Sequence, residues 1–66
     1  MWIVRMYLTG NKEGPFKIFD SRSEAKEFRD EVEKAMDNGK LIRFNRNGKE
    51  YTVDGVYVAM VEMYQA

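Results

Sequence analysis

The chain reads as a small α+β domain in the order β-β-α-β-β-β, an antiparallel twisted sheet with one helix packed on one face. Three observations lead there: apolar alternation from Met1 to Thr9, a capped amphipathic stretch from Ser21 to Gly39, and the hairpin dipeptides Asn47-Gly48 and Asp54-Gly55. At 66 residues the chain, 1–66, makes a single α+β domain. It lies near the lower size at which one apolar core offsets chain entropy.

Trp2, Val4, Met6 and Leu8 occupy the even positions of the first strand, and Ile3, Arg5, Tyr7 and Thr9 the odd ones. Period-two alternation of this kind marks a half-buried strand. Thr9 to Pro15, with Gly10, Asn11, Gly14 and Pro15, reads as an exposed turn. Phe16 to Asp20 then forms a second strand, Phe16 and Ile18 on one side and Lys17 and Phe19 on the other.

Ser21-Arg22-Ser23-Glu24 has capping-box spacing, with the Ser21 hydroxyl accepting from the Glu24 amide and the Glu24 carboxylate returning to the Ser21 amide. Ala25, Phe28, Val32, Ala35 and Met36 form one apolar stripe behind it. Asn38-Gly39 closes the helix, since glycine accepts the left-handed conformation.

A type I′ turn at Asn47-Gly48 sets Arg46 opposite Lys49, Phe44 opposite Tyr51 and Ile42 opposite Val53. A second tight turn at Asp54-Gly55 would continue a meander into Val56 to Tyr64. Val56 and Val58 would then face the helix, and Tyr57, Ala59, Val61 and Met63 would share the other face with Leu41, Arg43 and Thr52. A bulge would reverse that last assignment. Trp2, Phe28, Phe44 and Tyr51 are expected between helix and sheet.

Composition excludes several functions. The chain has no cysteine and no histidine. Disulfides, thiolate nucleophiles, imidazole bases and the commonest zinc and haem ligands are therefore missing. Glu50, Asp54 and Glu62 all have simpler roles in turns and strand edges, so no catalytic residue, metal ligand or cofactor site is expected and the protein reads as a non-enzyme. Eleven basic and eleven acidic residues give zero formal charge, so no long-range attraction to nucleic acid or membrane is built in. The apolar N-terminal run meets Arg5 too early for a signal segment or a membrane span, and a cytoplasmic location is expected.

The face opposite the helix is the main candidate site. Arg5, Tyr7, Lys17, Phe19, Arg43, Tyr57 and Met63 are expected to gather there, and aromatics, methionine and arginine are enriched in interface cores. Another protein is the expected partner, with a homodimer as an alternative and no membrane contact. A single-stranded nucleic-acid binder using the same aromatics with Arg5, Lys17, Arg43 and Arg46 ranks below, for want of net charge and of a phosphate-binding motif. Glu27, Asp30 and Glu31 on the outer helix face offer an acidic alternative, against which stands a solvated helix with pairs such as Asp30 and Lys34.

The apolar strand from Val56 to Tyr64, with Glu62 its one charge, suits either a central position or pairing with another chain. In size, in lack of cysteine and histidine, and in α+β organisation, the chain resembles the small accessory proteins of phages and mobile elements, including inhibitors of host defence nucleases. That resemblance rests on general character over the whole chain and transfers no site residues. It implies an interaction module that blocks a larger host or defence protein.

Overall fold

The computed structural model describes residues 1–10 and 12–66. The elements are β1 (Trp2–Leu8), β2 (Lys12–Phe19), α1 (Arg22–Asn38), β3 (Leu41–Arg46), β4 (Lys49–Asp54), a short 3-10 turn (Gly55–Tyr57) and β5 (Val58–Gln65). Class and order are those read from the sequence. The strand connectivity is not a meander: one antiparallel ladder runs β2-β1-β5 and a separate hairpin pairs β3 with β4.

The helix forms as its caps dictate. The Ser21 hydroxyl accepts from the Glu24 amide at 3.2 Å and donates to the Glu24 carboxylate at 2.9 Å, so the carboxylate returns to the hydroxyl and not to the amide. Gly39 ends the helix at φ 65°. Ala25, Phe28, Val32 and Ala35 are buried and meet Val4 and Met6 from β1, Ile42 from β3 and Val58 from β5 in one core. Val4, Met6 and Val32 are fully buried, each contributing about 1.5–3 kcal/mol by leaving water. No helix among the described residues is long and apolar enough to cross a membrane.

The β3–β4 hairpin has the register its turn imposes. Phe44 opposes Tyr51, Ile42 opposes Val53 and Arg43 opposes Thr52, with Asn47 and Gly48 both at positive φ. Aromatic packing joins this hairpin to the rest: Phe28 lies 5.5 Å from Phe19 and 5.3 Å from Phe44, and Phe44 stacks on Tyr51 at 5.1 Å. Where β3 abuts β2, side chains make the bridge, Lys17 donating to the Asn45 carbonyl and Arg46 to the Phe16 carbonyl.

Asp54-Gly55 is not a hairpin turn. The Asp54 carboxylate accepts from the Val56 amide and caps the 3-10 turn, while the Gly55 amide donates 2.8 Å to the Lys40 carbonyl, beneath the helix C-terminus. The chain thereby leaves β4 and crosses to the free side of β1. Gly55 is required by contact: a Cβ there would collide with the Ala35 carbonyl and lie 2.8 Å from the Lys40 oxygen. Gly55→Ala is expected to cost about 3 kcal/mol, the upper range of overpacking, because backbone and not a flexible side chain must give way. Urea unfolding followed by circular dichroism measures this; a loss below about 0.5 kcal/mol would contradict the close approach.

Two bulges decide which side chains face the helix. Between Arg5 and Tyr7 the register of β1 against β2 slips, Arg5 opposing Phe16 but Tyr7 opposing Glu13. Between Tyr7 and Leu8 it slips against β5, where Met60 opposes Tyr7 and Val58 opposes Leu8. The extra residue, Ala59, restores Val61 and Met63 to the helix side, where both pack against the core. β2 begins at Lys12, ahead of the Phe16 expected from the sequence; Asn11, within the expected turn, lies outside the described residues.

Candidate partner-binding face

Cross-strand partners share a face, so the register builds the side of the three-stranded sheet that α1 does not cover. One row is Ile18, Ile3 and Tyr64; the next is Phe16, Arg5 and Glu62; the third is Glu13, Tyr7 and Met60. Ile18 and Met60 are 44 % and 48 % exposed, while Ile3, Arg5, Tyr7, Phe16, Glu62 and Tyr64 are half-buried. Among the described residues no second layer covers this surface.

Its polar groups are held in place by one another. The Arg5 guanidinium lies 4.5 Å from the centre of the Phe16 ring, and that of Arg46 reaches from the hairpin to within 4.1 Å of the same ring. Arg46 also donates 2.8 Å to the Tyr51 hydroxyl and 3.3 Å to the Phe16 carbonyl, which fixes its fork on the outer edge of β2. The pKa of Arg5 is raised above its ordinary value, first by hydrogen bonding with the Tyr64 side chain, against the opposing effect of burial. Tyr7 donates 2.8 Å to the Glu62 carboxylate. That bond, followed by burial and by the charge of Glu62, raises the Tyr7 pKa above its usual value, because ionisation would remove the donor and set two negative charges together.

The residues expected on one face are dispersed. Arg5 and Tyr7 lie on the open face. Lys17, Phe19 and Met63 lie on the helix side, opposite or beside Val4 and Trp2, with Phe19 and Met63 packed against the core. Arg43 projects from the outer side of the hairpin, where it lines a concavity of about 260 Å³ with Phe44, Asn45, Glu50, Tyr51 and Thr52. Tyr57 belongs to the 3-10 turn and is 59 % exposed. Phe16, Ile18, Met60 and Tyr64 take the vacated places; alternation puts Phe16 and Ile18 on one side of their strand, and the bulges set which side that is.

On the helix, Asp30 is paired with Lys26 at 3.7 Å and Arg29 at 3.4 Å, and Arg29 with Glu33 at 3.6 Å, in place of the expected Asp30–Lys34 pair. Glu27 and Glu31 line a second concavity, about 220 Å³, with Glu24, Phe19 and Phe28. Among the described residues no three acidic side chains converge with the geometry of a metal site. Trp2, Phe28 and Phe44 pack in or against the core as expected. Compared with known proteins, the chain matches no family model, no curated protein and no solved structure.

Proposed function

We propose that this is a small non-enzymatic, cytoplasmic interaction module that blocks a larger protein by seating the open sheet face on it. The observation that carries this reading is the uncovered surface of Ile3, Ile18, Met60 and Tyr64 around the stacked Arg5 and Phe16. An apolar surface containing arginine and tyrosine, already ordered before contact, has the composition of an interface core and loses little side-chain freedom on binding.

Nucleic acid suits this face less well. The Phe16 ring already carries two guanidiniums and Tyr51 is stacked on Phe44, so a base would have to displace these contacts. Glu13 and Glu62 also stand among the cations.

Capture from a cell lysate on an immobilised copy, with and without nuclease and at two salt concentrations, tests the reading. A stoichiometric protein retained under all conditions is the expected result. Retention of nucleic acid that falls steeply with salt, with proteins lost after nuclease, would overturn it.

A further inference from the structure

The strand edges of this fold are not treated alike. β2 carries Pro15, which has no amide donor, and a bulge, and on its outer side Arg46 caps the Phe16 carbonyl while Lys17 reaches Asn45. β4 carries Lys49, Glu50 and Asp54. These are devices that discourage another strand from pairing. Beyond its bulge at Ala59, β5 has none of them: residues 60–65 contain no proline, no lysine and no register shift, and their one charge, Glu62, is tied to Tyr7 on the open face.

The register shows which amides of β5 are free. The Ala66 amide donates 3.0 Å to the Met1 carbonyl, and bonded and non-bonded pairs alternate along an antiparallel ladder. Tyr64, Glu62 and Met60 therefore turn their backbone groups toward β1, and Val61, Met63 and Gln65 turn theirs outward. Among the described residues the outer edge of β5 meets no other strand.

We infer that the outer edge of β5 pairs antiparallel with β5 of a second copy of this chain, about a twofold axis at Met63, joining two three-stranded sheets into one. Complementarity selects the second copy and this register. With the axis at Met63, the outward groups of Val61, Met63 and Gln65 exchange bonds with those of Gln65, Met63 and Val61 of the second copy. Glu62 then opposes Tyr64 of the second copy, whose hydroxyl can donate to the carboxylate oxygen that Tyr7 leaves free. An axis at Glu62 would set two carboxylates face to face, which destabilises. An axis at Val61 would run the ladder into the bulge at Ala59. Zero formal charge leaves no net repulsion between copies.

One strand edge buries less than the roughly 800 Å² per partner of a standard interface, so association is expected in the micromolar range. The pairing uses the sheet edge and does not depend on what the open face binds.

Sedimentation equilibrium of the whole chain from about 10 µM to about 1 mM, with amide hydrogen exchange by NMR at both ends of that range, tests the inference. A monomer–dimer equilibrium is expected, with the Val61, Met63 and Gln65 amides becoming protected as the dimer forms. Gln65→Pro removes an outward donor at an exposed position that a sheet edge tolerates, and should weaken the dimer by about tenfold or more while the circular dichroism spectrum is retained. A monomer throughout the range would overturn the inference, as would a dimer in which the Val61 and Met63 amides exchange freely. Should Gln65→Pro fail to fold, exchange in the unaltered chain decides the matter alone.

Discussion

Phe28→Ala is expected to leave the protein largely unfolded at 25 °C. Among the described residues the two ladders share no backbone bonds, and the Phe28 ring contacts Phe19 of one and Phe44 of the other. Removing a buried aromatic costs about 3–5 kcal/mol. A chain of this length has roughly 3–10 kcal/mol of stability in all. The loss is therefore comparable with the whole, and it falls where the hairpin is held to the remainder. Urea titration followed by far-ultraviolet circular dichroism measures it, with Phe28→Leu as a control expected to cost distinctly less. A loss below about 1 kcal/mol would mean that other contacts hold the hairpin.

Much of the architecture was legible in the sequence because its signals are local. The α1 boundaries followed from Ser21, Glu24 and Gly39, because capping is local chemistry. The β3–β4 register followed from Asn47-Gly48, because a two-residue turn leaves one pairing. The path from β4 to β5 was not legible. Asp54-Gly55 is a hairpin signal in isolation, and only the approach of Gly55 to the Ala35 carbonyl sends the chain elsewhere. That approach depends on the position of Ala35, in the last turn of α1 and twenty residues earlier in the chain, which no local pattern encodes.

The candidate site was legible in part for a related reason. Alternation sorts the side chains of one strand into two sets, and Arg5 and Tyr7 were sorted correctly against Trp2 and Val4. Joining the sets of neighbouring strands needs the register. Bulges at Gly14-Pro15 and Ala59 shift it by one residue and exchange the faces of Lys17, Phe19, Val61 and Met63. A Gly-Pro pair inside an otherwise alternating strand is a signal for such a slip. Ala59 carries no comparable mark.

The most direct test of the open face as the interaction surface is the lysate capture repeated with two folded variants. Ile18→Glu with Met60→Glu places charges at the two most exposed apolar positions of the face, whereas Glu27→Lys with Glu31→Lys reverses the acidic concavity on the helix. Buried charges at an interface core cost several kcal/mol. The first variant is expected to lose the retained protein by tenfold or more and the second to keep it. Retention by the first and loss by the second would contradict the assignment and move the interaction surface to the helix.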